Sequence, residues 1–470
     1  MAEQHSRTKN KGNHRRLEEL FGRMLSPFER FLRRTTAGGI ILVGTTVFAL
    51  ILANSGWGDA IHRAWETTAR IGIGPWQLEL SVHSWVNEGL MALFFLLVGL
   101  ELKREILVGE LSSFREAVLP VVAAAGGMIA PALLYHVVNP DGPAAHGWGI
   151  PMATDIAFAV GILVLLAWRI PPGLIVFLTA LAIADDLGAV LVIAVFYTRE
   201  LVPVALGGAG GVLVVLALLN RGGIRHPLPY GLLGLLLWFM LLKSGIHPTI
   251  AGVLLAFSIP ARPACTLEQL DDRLGQLHRK LREGLADGDA CGSTLACPVL
   301  ATVAENLEEN ARSVQSPQQR IEHALHPWVT FGVIPLFAMS NMGIDFRSMN
   351  FLDNLYEPVT LGVMLGLVFG KFIGISGFSW AAVKLGVCNL PSGVGWRHLL
   401  GVAWLAGIGF TMSLFIGQLA FDSPVLVERA RLGILAASVV SAVLGLTWLC
   451  IGYRVQSSAA RMGRTGDARK

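Results

Sequence analysis

The sequence predicts an all-α polytopic membrane protein of about 12 transmembrane helices, with inverted repeats in spans 3–5 and 10–12 and interrupted helices in spans 4 and 11. Three observations predict it. The 470 residues are 53% hydrophobic and only 15% charged, with a mean hydropathy of +0.58, whereas a soluble chain carries about 25% charged residues. The apolar residues fall into about a dozen long runs separated by short polar links. The positive charges are also one-sided. With both termini cytoplasmic, roughly 29 Lys and Arg fall inside and roughly 7 outside, a bias that fixes orientation and checks the span count. The formal net charge of +4 says little by comparison. The 53 Gly residues suit close helix contacts in lipid. Cys265, Cys291, Cys297, Cys388 and Cys450 form an odd, unpatterned set, which argues against a disulfide framework. Cys291 and Cys297 could pair or bind a metal, but free thiols are expected.

Residues 1–36 form a basic cytoplasmic tail. Phe21, Met24, Leu25, Phe28 and Phe31 recur at helical spacing among Arg23, Arg30, Arg33 and Arg34. This predicts an amphipathic helix on the membrane surface, against the alternative of a disordered basic tail. About 35 polar residues precede the first apolar run, so no signal peptide is expected. Spans 1–8 occupy 37–260. Span 1 is 37–53. Residues 55–84 follow, where Gln77-Leu78-Glu79-Leu80-Ser81-Val82 alternates as a strand of an interfacial hairpin would. Span 2 covers 85–107 and ends on Glu101, Lys103, Arg104 and Glu105; span 3 covers 117–138. Span 4, 148–168, contains Asp155, and span 5, 174–196, contains Asp185 and Asp186. Span 6 is 202–219, and the short spans 7 and 8, 230–242 and 246–259, are separated by Lys243-Ser244-Gly245. A polar cytoplasmic loop, 261–324, follows, with Leu267, Leu270, Leu274 and Leu277 marking an amphipathic helix. Spans 9–12 occupy 325–453: 327–342, 359–383 with Lys371, 399–421, and 432–453. A basic cytoplasmic tail, 454–470, ends the chain.

Asp155, Asp185, Asp186 and Lys371 lie roughly 12–18 Å from the ends of their helices at 1.5 Å per residue. Ionisable groups at that depth usually mark an ion or proton path; the bland alternative is acids neutralised by a structural partner. Three acids against one lysine suit a cation. Adjacent carboxylates oppose each other's ionisation, so the Asp185–Asp186 pair can alternate between protons and a metal ion. Neighbouring residues point about 100° apart on a helix, so one acid can face a water-filled funnel and the other Lys371. Gly147, Gly149 and Pro151 precede Thr154-Asp155 in span 4, and Gly407-Ile408-Gly409 sits at the centre of span 11. Paired interruptions point to a transporter site at the midplane; close helix packing is the other reading of these glycines. Spans 3–5 and 10–12 are an odd number of helices apart, which gives them opposite orientation.

Several stretches carry a family resemblance. They are Phe94-Phe95-Leu96-Leu97-Val98-Gly99-Leu100-Glu101-Leu102-Lys103-Arg104-Glu105, Ala153-Thr154-Asp155-Ile156-Ala157-Phe158-Ala159 and the Asp185-Asp186 stretch. Further on come Leu242-Lys243-Ser244-Gly245-Ile246-His247, Glu322-His323-Ala324-Leu325-His326-Pro327-Trp328, Gly370-Lys371-Phe372-Ile373-Gly374-Ile375-Ser376 and Gly407-Ile408-Gly409-Phe410-Thr411-Met412-Ser413. With these motifs in this order, the sequence resembles the NhaA family of sodium/proton antiporters. The resemblance implies that spans 4 and 11 unwind where they cross. It implies that Asp185 and Asp186 bind Na⁺ or Li⁺ and the exchanged protons, Asp186 being the primary ligand. Thr154 and Asp155 would lie at the crossing, with Asp155 offsetting positive helix ends and Lys371 offsetting negative ends or pairing with Asp185. It implies pH sensing by Glu101, Glu105, Glu322, His323 and His326 at the cytoplasmic mouth, with His247 near the outer side, and a homodimer formed through the hairpin after span 1. The 261–324 loop and the N-terminal extension are long for the family, and His247 is followed by Pro248.

The residues of Glu101–Arg104–Glu105 taken alone read as a solvated helix end. His323 and His326 have the one side chain that ordinarily titrates near neutral pH, or they pack at a helix end. The function expected is electrogenic, pH-regulated exchange of cytoplasmic Na⁺ or Li⁺ for external protons in a bacterial inner membrane, with no resident cofactor and no nucleic acid partner. A sodium-coupled solute symporter and a cation channel are the rivals, although no repeated filter motif is present. The sequence contains no nucleotide loop, zinc motif or nucleophile elbow that would mark an enzyme.

Overall fold

The computed structural model describes residues 35–73, 76–198, 201–263, 267–286, 298–344 and 351–467. The amphipathic helix expected before residue 35, and Cys265, Cys291 and Cys297, lie outside the described residues. Helix α1 (Thr35–Ala53) leads to the short α2 (Gly58–Glu66) and an antiparallel hairpin, β1 (Thr68–Ile73) with β2 (Trp76–Ser81). A π-helical segment, Trp85–Leu90, runs into α3 (Met91–Val108). Then come α4 (Phe114–Val138), a 3₁₀ segment (Pro143–Met152), α5 (Ile156–Leu165), α6 (Pro172–Phe196), α7 (Pro203–Arg221), α8 (Pro227–Ser244) and α9 (Ile250–Ser258). The polar stretch supplies α10 (Leu267–Ala286), α11 (Pro298–Val314) and α12 (Pro317–Trp328). After the π segment Val329–Val333 follow α13 (Ile334–Asn341), α14 (Phe351–Leu355) and α15 (Pro358–Leu365). The π segment Gly366–Gly370 leads into α16 (Lys371–Lys384), and α17 (Trp396–Leu405), α18 (Phe410–Ala420) and α19 (Pro424–Asp467) end the chain.

Proline opens seven of these helices, from Pro172 in α6 to Pro424 in α19. The first helical N–H has no intrahelical acceptor, so its loss costs nothing there, and the fixed φ suits the turn. Gly245 ends α8 at φ 87°, a left-handed cap that residues with a Cβ resist. Ser316 and Gln319 form a reciprocal capping box at the start of α12. That box starts the helix well before the expected span 9, and Pro327 lies inside α12 rather than at the head of a new helix. Among the described residues seven helices are long and apolar enough to cross a membrane, or up to nine if each of two bent pairs is one span. The remaining expected spans are short or divided. α9 has nine residues, span 2 is divided between the π segment and α3, and span 9 is divided by Val329–Val333.

The described residues fall into two compact units, one within Met1–His83, Ser113–Ala189 and Ile334–Lys470, and one within Ser84–Ser112 and Val190–Val333. In the first, the chain bends by 109° after α1 into α2, which carries Asp59, His62, Arg63 and Glu66 and buries no residue. The hairpin pairs Arg70 with Glu79 across the strands, and their side chains form an exposed ion pair at 3.1 Å. The sequence alternation marked β2 only; β1 is its partner. α4 packs closely against α16. A Cβ on Gly126 would meet the Gly374 carbonyl oxygen at 2.3 Å, and one on Gly374 would meet the Gly126 carbonyl at 2.0 Å. Only glycine permits that backbone contact, and it fixes the height of Lys371 at the start of α16. In the second unit α3 packs against α9 and α7 against α8. α10 packs against α11, and Leu277 and Val303 are buried, whereas Leu274, in the same leucine spacing, is 39% exposed. Cys388 and Cys450 are free thiols.

Candidate functional site

The site is built on two interruptions in the first unit. The 3₁₀ segment ends at Met152, Ala153 is extended, and Asp155 caps α5 by accepting the Phe158 N–H at 3.0 Å. The second interruption lies between α17 and α18, whose axes are bent by 47°. Gly407 and Gly409 leave no space there. A Cβ on Gly407 would stand 2.5 Å from the Leu367 carbonyl, and one on Gly409 would stand 2.1 Å from Ser413 Oγ.

The two interruptions are bonded to each other. Asp155 N–H donates to the Ile408 carbonyl at 2.7 Å. Asp155 Oδ2 accepts Thr411 N–H at 3.1 Å and Thr411 Oγ1–H at 2.6 Å. Ser413 Oγ donates to the Ile150 carbonyl at 2.8 Å. One carboxylate therefore caps two helix N-termini, where unsatisfied N–H groups and the helix dipole both favour negative charge.

Asp185 and Asp186 project from α6 and are 0% and 1% exposed; Thr154 and Lys371 are both 0% exposed. Lys371 Nζ forms an ion pair with Asp185 Oδ2 and donates to Thr154 Oγ1 at 2.9 Å. Thr154 Oγ1 lies 2.7 Å from Asp185 Oδ2 and 2.9 Å from the Ala406 carbonyl oxygen. Asp185 Oδ1 accepts no hydrogen bond among the described residues. Lys371 thus meets Asp185, and the structure brings together Thr154, Asp155, Asp185, Lys371, Gly407 and Gly409. The acids of α6 supply the oxygen donors a hard monovalent or divalent cation takes. Among the described residues no three His, Cys, Asp or Glu side chains cluster as a metal site.

The second unit gathers most of the other candidates. Arg104 Nη1 pairs with Glu322 Oε1, and Arg104 Nη2 lies 3.5 Å from Glu105 Oε1. Glu101 is in electrostatic range of Glu322, Arg104 and Glu105. His326 is in range of Glu322, His323 and Arg104. His323 Nδ1 contacts the Gln319 carbonyl one turn back, at 2.8 Å, and the ring is exposed. His247 stands apart between α8 and α9, its Nδ1 at 2.9 Å from Thr249 Oγ1. Lys103 Nζ donates to the carbonyls of Ala256 and Phe257 at 3.3 and 2.9 Å, and to that of Ile259, capping the C-terminus of α9.

Sequence reading passed over Ser438 on α19, whose Oγ accepts Phe410 N–H at 3.3 Å. Its one signal is the spacing of Ser438 and Ser441, three residues apart on one face of an apolar helix.

Crossed broken helices around buried carboxylates and a lysine belong to polytopic membrane proteins that move ions. The family model described as Na⁺/H⁺ antiporter 1 matches residues 29–449, and the chain belongs to that family of secondary transporters. It is 66% identical over 444 residues to the Na(+)/H(+) antiporter NhaA of Syntrophobacter fumaroxidans, which covers 94% of each chain. It is 58% identical over 426 residues to the protein of the same name from Acidithiobacillus ferrooxidans, covering 91% of this chain and 97% of that one. Na(+)/H(+) antiporter NhaA 1 of Saccharophagus degradans is 47% identical over 449 residues, 95% of this chain and 96% of its own.

Proposed function

We propose that this chain extrudes Na⁺ and Li⁺ from the cytoplasm in exchange for external protons, by alternating access at Asp185 and Asp186. One observation carries the reading. Asp185, Asp186 and Lys371 are all buried, Lys371 holds Asp185 through Oδ2, and Asp185 Oδ1 accepts no hydrogen bond among the described residues. A buried carboxylate oxygen without a donor is costly, and a proton or a cation each relieves that cost.

At the cytoplasmic face Na⁺ displaces protons from the acid pair. Rocking of spans 3–5 and 10–12, as inverted repeats among twelve spans, then exposes the site outside. There Na⁺ leaves and protons return down their gradient. Asp186 is the primary ligand, and Asp185 with Thr154 completes the site beside Lys371. If two groups exchange protons for one Na⁺, the cycle is electrogenic and answers to membrane potential. The chain sits in the bacterial inner membrane with both termini cytoplasmic. Its segments are the tail 1–36, the spans of 37–260, the loop 261–324, the spans of 325–453 and the tail 454–470. It pairs as a homodimer through β1 and β2. Glu101, Glu105, Glu322, His323 and His326 set its pH response, and His247 acts at the outer side.

The test uses inverted membrane vesicles acidified by respiration, with internal pH followed as Na⁺, Li⁺ or K⁺ is added. The expected result is alkalinisation by Na⁺ and Li⁺ but not by K⁺, abolished in Asp186→Asn. Equal alkalinisation by the mutant would refute the acid-pair site. Uptake of a solute that depends on Na⁺ would favour a symporter instead.

A further inference from the structure

An unbroken helix running from α17 into α18 would bond Phe410 N–H to the Ala406 carbonyl four residues earlier. Here both groups are bonded elsewhere. Phe410 N–H donates to Ser438 Oγ at 3.3 Å, and the Ala406 carbonyl oxygen accepts the Thr154 hydroxyl at 2.9 Å. The neighbouring groups are also accounted for. Gly407 and Ile408 N–H close tight turns onto the Trp404 and Leu405 carbonyls at 3.2 and 3.0 Å. The Ile408 carbonyl takes Asp155 N–H, and Thr411 N–H goes to Asp155 Oδ2. Buried backbone groups of a helix end need such partners, and an available N–H four residues on would otherwise reclaim the carbonyl.

α19 packs along both α17 and α18 and turns two buried serines to the break. Ser438 is 5% exposed and Ser441 is 0% exposed, and a Cβ on Gly407 would stand 2.5 Å from Ser441 Oγ. We propose that Ser438 is a positioning residue for ion exchange: its hydroxyl keeps Phe410 N–H from the Ala406 carbonyl, holds the interruption open, and leaves that carbonyl to Thr154. Thr154 Oγ1 in turn stands 2.7 Å from Asp185 Oδ2 and accepts from Lys371. Removing the Ser438 acceptor lets the helix close toward Ala406 and draws Thr154 out of register with Asp185. This role rests on the reading of Asp185 and Asp186 as the ion site.

The test is Na⁺-driven proton movement by purified protein in proteoliposomes, with KM for Na⁺ and turnover measured separately. Ser438→Ala is expected to raise KM about fivefold, the effect of losing roughly one ordinary hydrogen bond, with turnover at saturating Na⁺ within about twofold of the natural protein. Ser438→Thr keeps the hydroxyl and is expected to restore the natural KM. Should Ser438→Ala not reconstitute, Ser438→Cys makes the same test, because a thiol accepts hydrogen bonds only weakly. An unchanged KM would overturn the proposal. So would a fall in turnover at unchanged KM, which is what loss of folded protein alone produces. Asp186→Asn is assayed beside them. Full exchange by that variant defeats the acid-pair reading, whereas loss of exchange there with a natural KM in Ser438→Ala defeats only the role of Ser438.

Discussion

Two groups of charged residues, one in each unit, are held by different means. At the crossing in the first unit Asp155, Asp185, Asp186 and Lys371 are all at most 2% exposed, and their partners are largely backbone ends and hydroxyls fixed by broken helices. In the second unit the Arg104 side chain is 41% exposed, with Glu105 at 17% and Glu322 at 7%; the partners there are other long side chains. Burial makes the first group rigid and expensive to disturb, because an uncompensated charge has no solvent to turn to. The half-exposed Arg104 gives the second group access to water on one side, which screens its pairs and makes them more adjustable than those of the crossing, although Glu322 is itself buried. The proposed transport site calls for the first property and the proposed pH sensor for the second.

The largest expected effect tests the rigid group. Lys371→Ala leaves Asp185 buried beside no cation and is expected to cost about 3–5 kcal/mol of stability, read as loss of resistance to denaturing detergent. The double variant Lys371→Met with Asp185→Asn, which removes both charges, is expected to recover most of that loss. A single variant as stable as the natural protein would mean that the pair is not a buried ion pair, and the contrast between the units would fail.

A smaller effect belongs to a half-buried group in the first unit but outside the crossing. His83 Nδ1 contacts Ser340 Oγ at 2.7 Å. Burial first, and then the positive charges of Arg431 and His62, push its pKa down to about 4, against the raising influence of Ser340 and Glu66. Because the folded value lies below the unfolded value of 6.5, the unfolded chain binds more protons between the two. Stability is therefore fully present above about pH 6.5 and falls as pH drops toward about 4, by on the order of 2–3 kcal/mol. His83→Gln, which does not titrate, is expected to flatten the stability curve in that window. An identical acid limb in both proteins would contradict the assignment.

The smallest effect tests the adjustable group. Arg104→Gln is expected to change stability by less than about 1 kcal/mol, and by still less in high salt. Glu322→Gln is expected instead to move the midpoint of the pH–activity curve. A large, salt-independent loss of stability in Arg104→Gln would put that cluster in the same class as the crossing.

Much of the crossing is legible in the sequence because charge is rare in apolar runs. Asp155, Asp185, Asp186 and Lys371 stand out for that reason alone, and Gly407-Ile408-Gly409 marks the break because two glycines in one short apolar stretch weaken a helix. The residues alone do not tell which acid Lys371 meets, since the choice of Asp185 over Asp186 depends on the rotation of α6 and on the Gly126–Gly374 contact that sets α16 against α4; only the family resemblance points to Asp185. Ser438 hides for another reason: serine is common in membrane helices and usually bonds its own preceding turn. The helix α11 and the early start of α12 are hidden too, because a polar stretch shows its helices through caps and weak periodicity rather than through hydropathy. β1 reads Thr-Ala-Arg-Ile-Gly-Ile, too short an alternation to separate from the loop around it without its partner strand.

The central claim is that buried carboxylates of α6 hand over protons when Na⁺ arrives. The most direct measurement is the pH change on adding Na⁺ to purified protein in weakly buffered detergent solution, with choline as the control cation. The account expects proton release with Na⁺ and not with choline in the natural protein, and none in Asp186→Asn. Equal release by both proteins would contradict it.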